Sequence, residues 1–302
     1  MELVRKKGLR NMLKIMEKSK IWFSISLIII VIGMGFLCFR GLNFGIDFKG
    51  GTEVSIQLNE NINKEEVDAI VKTYAPDAST NTADNYEYEI KSADLDSDKL
   101  GSIMTDLKDK YQLDDTALIE QKEIGASIGK ELTRNSILAL LASFVVMLIY
   151  IAIRFEFKFG VAALAATFHD IIITVCVYAI FNIPVNTPFI AAILTIVGYS
   201  MNDTIVIFDR IRENVKKMRR SNSSEVANIS LTETMTRSIY TSLSTLITII
   251  AINILVPSVR EFTIPLIIGI ITGAYSSICI ASPVWVYLKD KVGNQKTKLQ
   301  RA

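Results

Sequence analysis

Histidine is almost missing from this chain. Its 302 residues contain one, His169, so no cluster of protein histidines can hold a metal. Cysteine is nearly as scarce: Cys38, Cys176 and Cys279 fall in three separate apolar stretches, which excludes a disulfide framework and any thiolate metal spacing. Internal repeats and low-complexity tracts are lacking as well. The glycines of 45–51 lead into an extended, strand-like segment and not into a helix, so a phosphate-cradling loop is excluded. Residues 40–135 contain no nucleophile–base pair. No enzymatic activity, cofactor, metal or nucleic-acid partner is therefore expected.

Long apolar runs are what the chain does have. Half its residues are hydrophobic. A helix needs about 20 residues to cross about 30 Å of hydrocarbon, and six segments qualify: 21–39, 136–153, 159–181, 189–208, 238–256 and 264–288. The first run ends Phe36-Leu37-Cys38-Phe39-Arg40, with no small-residue cleavage site, and reads as a retained helix. Net charge is only +2, but its distribution is uneven. Segments 1–20, 154–158, 209–237 and 289–302 hold 21 of the 33 Lys and Arg, whereas the short connections 182–188 and 257–263 hold only Arg260. The positive-inside rule then puts both termini in the cytosol.

Residues 40–135 carry 11 Lys and Arg against 20 Asp and Glu and fall on the outer side. An extended, β-rich segment from Phe44 to Leu58 apart from its central glycines, a helix 64–74 capped by Asn63, an alternating strand from Tyr86 to Ile90, a helix 97–111 and a strand 116–124 predict a small α+β domain of βαβαβ type. The expected fold is thus a polytopic α-helical membrane protein with six transmembrane helices and an extracytoplasmic α+β domain between helices one and two. Leu9, Met12, Leu13 and Met16 share one face of a basic segment, which suits a short helix on an anionic lipid surface. Short connections predict antiparallel pairing of spans two and three, three and four, and five and six. The longer 209–237 segment reads as a basic cytosolic loop available for docking.

Three polar features interrupt the apolar runs. Asp203 lies about five residues, roughly 8 Å, inside the cytosolic end of span four. Asn202 is beside it, and Tyr199, Val206 and Ile207 share its face. A carboxylate at that depth costs about 2.5–3.5 kcal/mol on insertion scales, and a group balanced between burial and a nearby cation can bind and release a proton. Arg237 opens span five at the same level and is the candidate partner. His169-Asp170 lies near the middle of span three, where two adjacent polar residues must face protein or water, as a packing hydrogen bond or as part of a relay. The Gly269–Gly273 spacing in span six reads as close helix packing.

Four motifs carry a family resemblance: Gly45-Ile46-Asp47-Phe48-Lys49-Gly50-Gly51, His169-Asp170, the Gly198–Asn214 block with Asp209 and Arg210, and Thr236-Arg237. In these, and in the order of parts along nearly the whole chain, the sequence resembles the SecF family, membrane subunits of the bacterial Sec protein-export machinery. It is less similar to the SecD paralogues, whose motif contains Asp-Ala-Asn and whose outer domain is larger. The resemblance implies a half-transporter of the resistance-nodulation-division type in the bacterial cytoplasmic membrane. Such a subunit pairs with SecD in a twelve-helix unit, associates with the SecYEG channel, and uses the proton-motive force to help move preproteins outward. It also implies that Asp203 is the proton carrier and Arg237 its partner. A proton-coupled exporter of small molecules from the same superfamily is the alternative. An intramembrane aspartyl protease would need Asp170 and Asp203 side by side, and Asp203 lacks a preceding glycine.

Overall fold

The computed structural model describes residues 13–58, 63–82 and 86–299. Leu9 and Met12 of the expected N-terminal helix lie outside them. The part that is described is not a surface helix. Its backbone N–H groups at Ile15 and Met16 donate to Asn228 Oδ1, each at 3.1 Å, and Met16 is buried in the protein core, so neighbouring side chains and not lipid cover it.

Helix α1, Ser19–Arg40, is apolar around most of its circumference. It ends at Gly41 and is followed by a single helical turn, α2, Ile46–Lys49, where the sequence predicts extended chain. Strand β1, Gly51–Gln57, helix α3, Lys64–Tyr74, strands β2, Ser79–Thr82, and β3, Glu87–Ser92, helix α4, Ser97–Tyr111, and strand β4, Leu118–Ile124, complete the α+β domain. Asn63 and Asp96 cap α3 and α4 by accepting from the backbone N–H of Glu65 and Lys99. The strands form one antiparallel sheet in the order β2-β3-β1-β4. The result is a βαββαβ arrangement, one strand richer than expected. Ser-Thr-Asn-Thr at 79–82 is wholly polar and half-buried, so no alternation betrays it. One sheet face buries Val54, Ile56, Tyr88 and Ile90 against α3 and α4, while Glu53, Glu89 and Lys91 alternate onto the other face.

The remaining helices are α5, Ala126–Arg154, α6, Phe157–Phe181, α7, Thr187–Lys217, α8, Ser223–Leu255, α9, Arg260–Ser276, and α10, Ser282–Leu299. A π-helical turn, Ser277–Ala281, joins the last two into one span. Six helical stretches are long and apolar enough to cross a membrane, and the chain is a multi-pass membrane protein. At 1.5 Å per residue, α7 and α8 are about 45–50 Å long and continue past the apolar layer at the end of the bundle away from the α+β domain. The expected 209–237 loop is therefore mostly helix. A hairpin around Asn222 makes the turn, and Ile211, Val226 and Leu231 pack together within it.

Burial sorts the spans. Half or slightly more of the apolar window is buried in α6, α7 and the α9–α10 span (50, 50 and 56%), against 11% in α1, α5 and α8. Consecutive spans do neighbour each other, as in the stacked Phe144 and Phe168 of α5 and α6 and the Asn253–Thr263 bond of α8 and α9. Close glycine contacts also join spans that are not consecutive in sequence. A Cβ at Gly33 of α1 would collide with Cys176 of α6, and one at Gly269 of α9 with Ile196 of α7. Gly269 thus does what its spacing predicts.

Candidate functional site

The Gly45–Gly51 segment ties the domain to the bundle. Gly45 donates to the Val185 carbonyl at 2.8 Å, and the Asp47 carboxylate accepts from the Thr187 N–H at 2.7 Å, capping α7. Phe48 packs edge-on against Phe44. Gly50 and Gly51 adopt φ of 84° and 147°, which L side chains rarely tolerate. A Cβ on Gly51 would also lie 2.5 Å from the Ser92 carbonyl oxygen. These glycines let the chain leave the helical turn and enter β1 directly.

Asp203 occupies the buried face of α7, only 3% exposed. Its carboxylate accepts from the Ser242 hydroxyl of α8 at 2.9 Å and from Thr241 at 3.5 Å. Thr241 also reaches the carbonyl oxygens of Arg237 and Ser238 at 2.9 and 3.1 Å, so Ser242 is the principal donor. One turn earlier on α8, Ser238 is buried with an unpartnered hydroxyl. Arg237 is brought to the same helix but not to the carboxylate: its side chain is exposed, and no ion pair or hydrogen bond joins it to Asp203 among the described residues. Asn202 beside it is exposed, and so is Gly198. With Arg237, Thr241, Ser244 and Thr248, they mark a polar seam between α7 and α8 that the chain's own helices leave uncovered, and Tyr199 bridges it by donating to the Thr241 carbonyl.

His169 and Asp170 form a separate, buried cluster. His169 Nδ1 lies 3.0 Å from Asp170 Oδ1, and Nε2 lies 2.8 Å from Ser26 Oγ of α1. Asp170 Oδ2 accepts from Ser200 of α7 at 2.6 Å and from Ser276 of α9 at 2.8 Å. Ser26 donates to the Tyr275 phenol oxygen at 3.3 Å, and Tyr275 donates to the Trp22 carbonyl at 2.7 Å. One polar knot thus fastens four helices. Next to it, Thr204 and Ser277 share a bond of 2.8 Å, the latter at the start of the π turn. Asp170 and Asp203 share no partner, which leaves no paired-carboxylate geometry for the protease reading.

The distal end of α7 is held by ion pairs. Asp209 meets Arg154 at 3.1 Å and Arg212 at 3.2 Å, and Arg210 meets Glu233 at 2.7 Å and Glu213 at 2.6 Å. Asn214 donates to Ser230 and Glu233 of α8. Arg210 therefore braces the α7–α8 hairpin, whereas Asp209 ties α7 to the end of α5. The sequence reading misses Ser242, Ser26, Ser200, Ser276 and Tyr275. The signal that could have found the first is the density of Ser and Thr between 236 and 248, unusual in a lipid-crossing helix.

Residues 103–291 match the model of the family described as protein export membrane protein SecD/SecF, C-terminal, and residues 35–61 match the SecD/SecF GG motif. The chain is 37% identical over 284 residues to the protein translocase subunit SecF of Sebaldella termitidis, covering 91% of each. It is 35% identical to the subunit SecDF of Bacillus subtilis, covering 91% of this chain but 38% of that one. The crystal structure of SecDF from Thermus thermophilus superposes with a TM-score of 0.78 at 32% identity, over 92% of this chain and 39% of that protein.

Proposed function

The chain belongs to the SecD/SecF family of protein-export membrane proteins, and from that premise we propose that it is a SecF-type subunit that uses the proton-motive force to promote preprotein export. The observation that carries the reading is Asp203: a carboxylate buried in an apolar helix and held by hydroxyls, with no ion pair to a cation among the described residues. Hydroxyls can donate to a carboxylate or accept from a carboxylic acid, so both protonation states can be hydrogen-bonded there. A permanent ion pair would favour only the charged one. Arg237, one turn from Thr241, supplies the guanidinium that pairs with Asp203 in another stage of the cycle.

SecD is the partner, and its place is the uncovered polar seam of α7 and α8. Gly198 supports this: a Cβ there would meet nothing within 4 Å in this chain, leaving room for a second chain's helix. The SecDF relatives, in which one polypeptide carries both parts, support the pairing. In the cytoplasmic membrane both termini face the cytosol and the α+β domain faces outward, with the SecYEG channel and the translocating preprotein as further partners. The distal hairpin of α7 and α8 then presents its Lys and Arg to the cytosol and to anionic lipid.

The test is a pulse-chase of a secreted precursor in cells depleted of the native protein and rescued at matched membrane levels. Wild type should restore export, and Asp203→Asn should not while accumulating normally. Rescue by both would remove Asp203 from the mechanism, and rescue by neither would remove the export reading.

A further inference from the structure

We propose that His169 and Asp170 form a second proton-binding site, a pair that holds one labile proton at zero net charge, and that Ser26 transmits its state between helices. The inference rests on the proton-coupled reading above and extends it to residues that do not touch Asp203.

The argument is a count of hydrogens along the network. The Trp22 carbonyl can only accept, so the single phenol proton of Tyr275 is committed to it. The Tyr275 oxygen then accepts the single hydroxyl proton of Ser26. Ser26 Oγ is left only as an acceptor toward His169 Nε2, 2.8 Å away, so Nε2 carries a proton. At the other side of the ring, Nδ1 and Asp170 Oδ1 sit 3.0 Å apart, and that contact needs a proton between them. Oδ2 is served by Ser200 and Ser276. The ring and the carboxyl together therefore bind two protons, whereas a neutral imidazole beside an ionised carboxylate binds one. The extra proton makes the pair neutral, as imidazolium with carboxylate or as imidazole with carboxylic acid.

The surroundings favour that count. The groups facing the pair are Ser26 of α1, Ser200 of α7, and Tyr275 and Ser276 of α9; among the described residues no Lys, Arg or further carboxylate bonds to it. A net negative charge left there would have only hydroxyl dipoles for company, which is costly in an apolar bundle.

Loss of the proton to a water molecule leaves Nδ1–H bonded to the Asp170 carboxylate and Nε2 bare. Ser26 must then turn its hydroxyl from Tyr275 to Nε2. The bond from α1 to α9 is given up for a donated bond from α1 to α6. Tyr275 and Ser276 lie immediately before the π turn, an irregular element of the kind found at functional sites. Protonation thus decides which helix Ser26 grips, beside the π turn of the last span.

Because His169 is the sole histidine, the full chain labelled with 15N-histidine in lipid bilayers gives one pair of ring signals in solid-state NMR. At pH 8 the wild type should show a protonated Nε2. Its Nδ1 should be either protonated or accepting from a carboxylic acid; Asp170→Asn, whose amide donates to Nδ1, supplies the reference spectrum for the second case. A bare Nε2 with Nδ1–H in the wild type at pH 8 would overturn the site. Tyr275→Phe removes the acceptor for Ser26, which should then donate to Nε2 and abolish the Nε2–H signal; its persistence would overturn the transmission step. Asp203→Asn should leave the wild-type spectrum unchanged. Export by that variant tests Asp203, and this spectrum tests the pair, so either idea can fail alone.

Discussion

Buried carboxylates survive only where their oxygens find donors or carry a proton. Asp203 and Asp170 meet that requirement differently, the first with two hydroxyls from one helix, the second with the histidine beside it and serines from two other helices. Two expectations follow from the first arrangement. Ser242→Ala should lower the rate of precursor export by up to about tenfold, equivalent to ~1.4 kcal/mol, at unchanged membrane level. Ser242→Thr, which keeps the hydroxyl, should retain most activity in the same pulse-chase. Arg237→Lys should impair export although the charge is kept, because the planar guanidinium engages a carboxylate in a geometry an ammonium cannot copy; full export by that variant would make Arg237 a plain interfacial anchor. The charged members of both clusters are legible as polar interruptions of apolar runs. Their hydroxyl partners are not, since most Ser and Thr in these helices simply bond back to their own backbone, as Thr245, Thr248 and Thr272 do.

At the scale of the element, α7 shows how one helix can serve two neighbours. Its buried side takes Gly269 of α9 against Ile196 and offers Asp203 to α8, while Gly198 and Asn202 face outward. Gly269→Leu should therefore destabilise the chain itself by about 1–3 kcal/mol through overpacking, visible as a lower melting temperature in detergent. Gly198→Leu should leave that temperature unchanged and instead reduce co-purification with SecD. Equal destabilisation by both would mean that Gly198 faces no partner. Glycine spacing alone cannot separate these cases, because the collision that makes one glycine obligatory involves a side chain from another span. The helical hairpin beyond the membrane escapes the sequence reading for a related reason. Its charges dominate the composition, and the apolar stripe of Ile211, Val226 and Leu231 becomes meaningful only when the two helices fold onto each other.

For the whole molecule the decisive contact is between domain and bundle. The charged sheet face meets the near ends of the spans, where Lys91 reaches Glu261 of α9 at 3.1 Å and Glu53 at 3.4 Å, Asn186 donates to the same Glu261, and Asn81 donates to the Pro257 carbonyl. Burial disfavours the Lys91 charge, but Glu261 and Glu53 outweigh it and hold the ammonium above its ordinary value. A raised lysine contributes stability that is fully present below its unfolded value of about 10.4 and is lost as pH rises through the folded one. Docking should thus be constant across the neutral range, and Lys91→Gln should weaken it by about 1 kcal/mol, measured as broader spin-label distances between domain and bundle. Glu89 has the opposite consequence at neutral pH. Burial pushes its carboxyl up, so its stabilising contribution exists below about pH 4.3 and is lost as pH rises through the folded value. Glu89→Gln should raise the melting temperature at pH 7 and have little effect near pH 4; an equal gain at both would assign the effect to something other than charge.

The amino-acid sequence by itself determined the six apolar helices, the α+β domain between the first two, and the few ionisable groups that break the apolar runs. Those are properties of length, periodicity and transfer energy, which a segment carries wherever it goes. Only the tertiary structure decided that Asp203 rests on Ser242 with Arg237 apart, that His169 and Asp170 knot four helices with Ser26 and Tyr275, and that a polar seam is left open beside α7. The physical reason is that a hydrogen bond depends on which helices approach and at what register. That choice is set jointly by small residues and side-chain shapes hundreds of positions apart.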